Sequence, residues 1–128
     1  PEVTLGLIPG DGGTQRLPRV IPAAKAAEML FTGKIIRADE ALQWGLVNMV
    51  VPVEEVMNEA RKMAAQINKA APLAVRSAKQ AMVRGRDMSL DDGLRLEYML
   101  NAFCTHTADF DEGTSAFIGK RKAEFKGE

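Results

Sequence analysis

Apolar residues recur every three or four positions through much of the second half of the chain, which is the spacing of one helix face. The clearest run consists of Val53, Val56, Met57, Ala60, Met63, Ala64 and Ile67. The charges also suit a helix, because Glu54 and Glu55 come at its start and Lys69 follows its end, which complements the helix dipole. This spacing predicts an amphipathic helix that begins near residue 53.

Caps and helix breakers predict three more helices after this one, over 72–85, 90–103 and 109–117. Pro72 suits the first position of a helix, where its missing N–H is not needed. Ser89 and Asp92 resemble a capping box, with aspartate in place of the usual glutamate. Asp109 and Glu112 have the same spacing and are predicted to cap the last helix.

The first half of the chain carries shorter elements. Residues 3–8 are apolar and rich in strand-forming residues, so they predict a β-strand, and the apolar run 46–51 before Pro52 predicts a second one. Short helices are predicted between the two strands, over 14–20, 23–32 and 38–44. We therefore expect a mainly α fold with a small β remnant, divided into residues 1–52 and a helical region, residues 53–128.

Composition excludes several classes of protein. The chain has 128 residues, and its 17 Lys and Arg residues balance 17 Asp and Glu residues, so no overall charge favours nucleic acid. Its one cysteine, Cys104, cannot form an internal disulfide and fits a reducing compartment. No apolar run has membrane-spanning length. Since the chain opens on a motif without an initiating Met, we expect a cytoplasmic piece of a longer protein.

Three motifs follow one another along the chain. They are Glu2 with Gly-Leu-Ile-Pro-Gly-x-Gly-Gly-Thr-Gln-Arg-Leu-Pro-Arg at 6–19, Ala-x-x-Ala-x-x-x-Gly-Leu-Val at 38–47, and Thr-x-Asp-x-x-Glu-Gly-x-x-Ala-Phe-x-x-Lys-Arg at 107–121. Together they resemble the second half of the crotonase family of enoyl-CoA hydratases and isomerases. The resemblance implies the last strand–turn–helix of a crotonase-like α/β spiral, followed by a helical oligomerisation region.

Glu2 is the first candidate for chemistry. From the local sequence alone, a glutamate near a chain end is expected to be solvated and inert. The resemblance implies instead that it is the general acid/base at the α-carbon region of the substrate. That role favours a pKa raised by an apolar pocket, which we expect Val3, Leu5 and Leu7 to supply.

The glycine-rich turn after residue 8 does not match a nucleotide-binding motif. Gly10, Gly12 and Gly13 lack the third glycine of a dinucleotide fingerprint, and no Lys-Ser or Lys-Thr follows for a phosphate loop. The resemblance makes Gly10 and Asp11 candidates for substrate binding beside the active site. Asp11 either tunes Glu2 or touches substrate, or it forms an Asx-type turn bond to Gly13 or Thr14.

A basic cluster of Lys120, Arg121 and Lys122 follows Phe117 near the end of the chain. By itself, such a cluster is typical of a solvated helix end. The resemblance implies that Phe117 and Lys120 reach the coenzyme A nucleotide bound to a neighbouring subunit. Stacking on the ring and attraction between phosphate and ammonium would provide the binding.

The resemblance also implies an acyl-CoA thioester as substrate, no separate cofactor, no metal and a homo-oligomer, either a trimer or a dimer of trimers. The family's oxyanion donors and second glutamate lie in the half that the chain does not match, so we expect the isolated chain to be inactive. Hydratase activity is expected, with isomerase or other crotonase chemistry as the alternative. A second class of function is a non-catalytic helical self-association module, because the apolar faces exceed what so short a chain can bury.

Overall fold

The computed structural model describes all 128 residues, and their regular structure is entirely helical. The α-helices are α1 (Gly13–Arg16), α2 (Ala23–Thr32), α3 (Ala38–Gln43), α4 (Val56–Ile67), α5 (Pro72–Gly85), α6 (Leu90–Cys104) and α7 (Ala108–Ile118). Short 3-10 helices cover Glu2–Leu5, Leu17–Arg19 and Val53–Glu55. None of these helices combines the length and the apolar character needed to cross a membrane. The chain divides into two units, Pro1–Glu55 and Val56–Glu128.

Both predicted strands are wrong. Glu2–Leu5 forms a 3-10 helix that ends at Gly6 with φ of 76°, and residues 46–51 follow bends and irregular backbone. A β-prone sequence becomes a strand only where another strand supplies hydrogen-bond partners, and no segment of this chain pairs with either run. The mainly α fold is confirmed, without the β remnant.

Prolines and glycines correctly predict where α2 and α5 begin and end. Helix α2 occupies the predicted range and ends at Gly33, whose φ is 68° and whose N–H donates to the carbonyl of Met29. Helix α5 also has its predicted bounds, with Pro72 in the first turn. These signals act within a few residues, so the sequence alone is enough to locate them.

The two last helices differ in how well their caps were predicted. Ser89 caps α6 as expected, because its Oγ accepts from the N–H of Asp92 at 3.2 Å. The predicted cap of α7 is wrong: Thr107 caps it, with Oγ accepting from the N–H of Phe110 at 3.2 Å. Asp109 instead lies in the first turn, with only 3% of its surface exposed.

The C-terminal tail, defined as residues 122–128, runs back along α7 without regular structure. The carboxylate of Asp109 accepts from the N–H of Lys126 at 2.7 Å and from the N–H of Gly127 at 2.8 Å. The ring of Phe125 lies 3.3 Å from where a Cβ at Gly113 would stand, so a side chain at that position would push the tail away. The tail is therefore held by specific contacts with one helix.

Few apolar side chains are buried. Only Ile21, Ala26, Ala41 and Ala116 are. Many large apolar side chains remain exposed in both units, among them Phe31, Ile35 and Leu90. In the second unit α5 packs against α6, and the groove between them is lined mainly by apolar residues and small ones. Exposed apolar side chains in such numbers are typical of chains that pack against further protein.

We predict that Asp109→Asn lowers the free energy of unfolding by about 2 kcal/mol, because an amide cannot accept both tail N–H groups and leaves a buried donor unpaired. Urea denaturation measures this loss. Asp111→Asn is the matched control, since Asp111 lies in the same helical turn and is exposed. Equal losses in the two variants would contradict the role given to the buried carboxylate.

Candidate active site

Glu2 lies in the first 3-10 turn of the chain. The turn is closed by the N–H and the hydroxyl of Thr4, which donate to the carbonyl of Pro1 at 2.9 and 2.7 Å. The N–H of Leu7 donates to the carbonyl of Glu2 at 3.0 Å. These bonds fix the backbone of Glu2, while its side chain remains 46% exposed.

The charge environment of Glu2 differs from what the sequence predicted. The backbone N–H of Glu2 donates to its own carboxylate, and the ammonium of Pro1 lies 3.1 Å from Oε2, so both lower the pKa of this carboxyl below its ordinary value. The expected raised pKa is therefore wrong for the chain as it stands. A carboxylate with a lowered pKa is ionised at neutral pH, and it accepts a proton less readily than an ordinary glutamate does.

Glu2 lines an apolar cleft of about 280 Å³ in the first unit. The apolar walls are Val3, Pro9, Leu17, Met29, Leu30 and Ile35. Val3 was predicted to contribute, but Leu5 and Leu7 are 75% and 63% exposed and do not line the cleft. In a 3-10 helix these side chains do not alternate as they would in a strand. Helix α2 supplies much of the wall instead.

Gly33 allows the Glu2 turn to lie against the end of α2. A Cβ at this position would stand 3.1 Å from the Cα of Pro1 and 3.2 Å from the Cγ2 of Thr4. The residue also has a left-handed backbone, with φ of 68°, which disfavours any side chain. The residue at position 33 thus sets how closely Glu2, the candidate base, approaches the cleft wall.

The predicted substrate-binding turn lies beside the cleft only in part. Pro9 and Gly13 line the cleft, whereas Gly10 and Asp11 are exposed and do not. The backbone carbonyl of Asp11 accepts from the guanidinium of Arg16. Its carboxylate makes no Asx-type bond to Gly13 or to any other N–H of the turn, so that alternative is not realised, and the binding roles of Gly10 and Asp11 stay predictions.

The other two predicted residues, Phe117 and Lys120, belong to the second unit. Phe117 is 83% exposed and contributes to an apolar cleft of about 420 Å³ with Phe110 and Phe125. Lys120 follows the end of α7 with φ of 50°, the only non-glycine residue of the chain with a positive φ. The roles of Phe117 and Lys120 in binding coenzyme A stay predictions.

The basic cluster is divided by an ion pair that the sequence did not suggest. Both guanidinium NH groups of Arg121 donate to the two carboxylate oxygens of Glu112, each at 2.6 Å. The hydrogen bonds from Arg121, and then one from the N–H of Glu124, lower the pKa of Glu112 to about 2. Arg121 is therefore engaged within the chain, and the ammonium groups of Lys120 and Lys122 carry the unpaired charge of the cluster. The one sequence signal for this ion pair is that Glu112 and Arg121, which have opposite charges, belong to the same motif.

No group of three or more His, Cys, Asp or Glu side chains is placed to hold a metal ion. His106 lies with Nδ1 2.7 Å from the carbonyl oxygen of Ala102, one helical turn earlier. Cys104 is a half-buried free thiol at the end of α6. The candidate chemistry of the chain thus rests on the carboxylate of Glu2.

All of the chain, residues 1–128, matches the family model described as enoyl-CoA hydratase/isomerase. The chain belongs to this family. The resemblance drawn from the three sequence motifs is therefore confirmed for the full length of the chain.

Similar proteins include hydratases and a dehydratase. The chain is 45% identical to crotonyl-CoA hydratase of Syntrophomonas wolfei over 98% of its own length and 48% of that protein. It is 41% identical to carnitinyl-CoA dehydratase of Salmonella arizonae over 99% of its length and 50% of that protein. The crystal structure of enoyl-CoA hydratase from Bacillus anthracis superposes with a TM-score of 0.96 at 45% identity, covering 99% of this chain and 49% of that one. The chain thus spans about half the length of these relatives.

We predict that replacing Glu112 with glutamine flattens the acid dependence of stability. The pKa of Glu112 is about 2 in the folded chain against an ordinary 4.5, so its contribution to stability is complete above pH 4.5 and is lost as the pH falls towards 2. Urea denaturation of both proteins across this interval measures the two slopes. Parallel slopes for wild type and Glu112→Gln would show that the ion pair does not contribute.

We also predict that Lys120→Gly raises the free energy of unfolding by up to about 1 kcal/mol, because glycine adopts a positive φ without the steric cost that lysine carries. The same denaturation experiment measures this gain. Lys122→Gly is the control, since Lys122 has no positive φ and its replacement adds only backbone entropy to the unfolded chain. A loss of stability in Lys120→Gly would contradict the prediction.

Proposed function

We propose that this chain is the C-terminal part of an enoyl-CoA hydratase that adds water to 2-enoyl-CoA thioesters. The observation that carries the proposal is the Glu2 carboxylate at an apolar cleft in a chain 45% identical to a crotonyl-CoA hydratase. Glu2 is the proposed general acid/base: it delivers a proton to the α-carbon while the water oxygen bonds to the β-carbon. The proton that water loses passes to a second base, which we expect in the remaining half of the protein.

The position of Glu2 supports this role once the chain is part of a longer protein. There the nitrogen of Pro1 is an amide without charge, so the ammonium that helps to lower the pKa of Glu2 is absent. The bond from its own backbone N–H remains and lowers the pKa of Glu2, whereas removal of water by the apolar wall formed by Leu17, Met29 and Leu30 favours the neutral acid. The proposed transfer of protons in both directions requires that the effect of this wall outweighs that bond.

The proposed substrate is an acyl-CoA thioester, with no separate cofactor. Lys120 offers an exposed, unpaired ammonium to the phosphates, and Phe117 offers an exposed ring to the adenine. The length of the acyl group stays open, because the relatives are named for both crotonyl and carnitinyl thioesters. We place the protein in the cytoplasm on the basis of its single cysteine.

The isolated chain is proposed to be inactive and to self-associate. The cleft beside Glu2 contains no second acidic side chain, and enolate stabilisation needs preorganised N–H donors that we expect from the remaining half of the protein. The exposed apolar faces of both units support assembly as a homo-oligomer, a trimer or a dimer of trimers. Self-association of these helices is also the alternative, non-catalytic function.

A second catalytic function would use the same carboxylate. One glutamate suffices to move a double bond, whereas hydration generally uses two, and Glu2 lines the cleft in either case. An enoyl-CoA isomerase is therefore the second candidate. The residue that decides between the two reactions is expected outside this chain.

We predict that Glu2→Gln lowers the hydration rate of crotonyl-CoA by about 10³-fold in the full-length protein, because glutamine cannot transfer the proton. Loss of the conjugated thioester absorbance measures the rate. Glu54→Gln is the matched control, since Glu54 is exposed and does not line the cleft, and this change is predicted to leave the rate unchanged.

Two outcomes would change the proposal. A full-length protein that does not hydrate crotonyl-CoA but isomerises a 3-enoyl-CoA is an isomerase. A protein that hydrates crotonyl-CoA equally well with glutamine at position 2 would show that Glu2 is not the acid/base.

A further inference from the structure

Lys120 occupies a backbone position that glycine normally fills. Helix α7 ends in a Schellman motif, in which the N–H of Arg121 donates to the carbonyl of Ala116 at 3.0 Å and the N–H of Lys120 donates to that of Phe117 at 3.3 Å. The residue after the cap takes a left-handed backbone in this motif, and glycine is strongly preferred there. A lysine persists in such a position only where its surroundings fix it.

Glu112 fixes the chain on the far side of Lys120. Its two carboxylate oxygens bind the guanidinium of Arg121 at 2.6 Å each. Oε1 also accepts from the N–H of Glu124 at 2.8 Å, and the same guanidinium donates to the carbonyl of Lys122 at 3.2 Å. The backbone of Lys120 is thus held between the end of α7 and this ion pair, while its exposed ammonium has no partner in the chain.

A second carboxylate holds a different part of the tail. Asp109 binds the N–H groups of Lys126 and Gly127, so the end of the chain is fastened without Glu112. Merely attaching the tail to α7 therefore does not explain a bidentate pair directly beside Lys120. The two carboxylates have separable functions, and each serves as a control for the other.

We propose that Glu112, acting through Arg121, is a positioning residue that orients Lys120 towards the phosphates of coenzyme A. This inference rests on the proposed function, in which Lys120 contacts the nucleotide part of the substrate. Glu112 does not touch the substrate. It sets the direction in which the unpaired ammonium leaves the end of α7.

The test compares two substrates in the full-length protein: crotonyl-CoA and crotonyl-pantetheine, which has the same thioester but no nucleotide. Glu112→Gln is expected to raise KM for crotonyl-CoA about tenfold with kcat unchanged, as expected for one lost charge-assisted contact. With crotonyl-pantetheine, kcat and KM of Glu112→Gln are expected to match those of the wild-type protein. A merely structural role would alter turnover of both thioesters equally, and that result would overturn the inference.

Matched variants sharpen the comparison. Lys120→Ala is expected to raise KM for crotonyl-CoA as Glu112→Gln does, and the double variant is expected to show no further increase, because both changes remove one contact. Glu112→Asp retains the charge and is expected to restore part of the affinity. Lys122→Ala and Asp109→Asn are expected to leave the ratio of the two KM values unchanged.

A calorimetric measurement of coenzyme A binding tests this inference separately from the proposed reaction. If neither thioester is hydrated, the proposed function fails, while tenfold weaker coenzyme A binding by Glu112→Gln still supports the positioning role. If coenzyme A binds equally to wild type and Glu112→Gln, the positioning role is wrong even where hydration proceeds. If Lys120→Ala has no effect on this affinity, the inference is also wrong, and the role of Glu2 is unaffected.

Discussion

Two carboxylates on one face of α7 determine the course of the chain after that helix. Asp109 and Glu112 are three residues apart, so their side chains lie on neighbouring positions of the helix surface. Together they accept hydrogen bonds from the backbone N–H groups of Glu124, Lys126 and Gly127. These residues belong to no helix or strand that could otherwise supply acceptors for those groups. A tail without secondary structure is thereby given fixed hydrogen bonds, and the residues that lead into it are ordered as well.

Sequence reasoning succeeded where structure is decided by near neighbours. The bounds of α2 and α5 follow from a proline at one end and a glycine at or after the other, whose backbone preferences need no tertiary context. It failed for residues 3–8 and 46–51, because a strand depends on pairing with segments elsewhere. It failed for the cap of α7 because Asp109, a good cap by composition, is occupied by the distant tail.

At the candidate site too, features decided by near neighbours were predicted, and features decided by distant segments were not. A motif identified Glu2, but the cleft walls Leu17, Met29 and Ile35 come from other segments, and periodicity within one element cannot bring them together. Arg121 was grouped with its basic neighbours because charges were read along the sequence. In the folded chain its nearest charge is Glu112, on the preceding helix. Contacts between elements, rather than residue types, were the missing information.

The scarcity of buried apolar side chains has a thermodynamic consequence. Four buried apolar residues, three of them alanine, remove little hydrocarbon from water, whereas ordering a chain of this length carries a large entropy cost. Assembly of the kind proposed above would couple the folding of this chain to the covering of its apolar faces. Its melting temperature would then depend on concentration as much as on sequence, and would rise with the amount of whatever surface covers those faces.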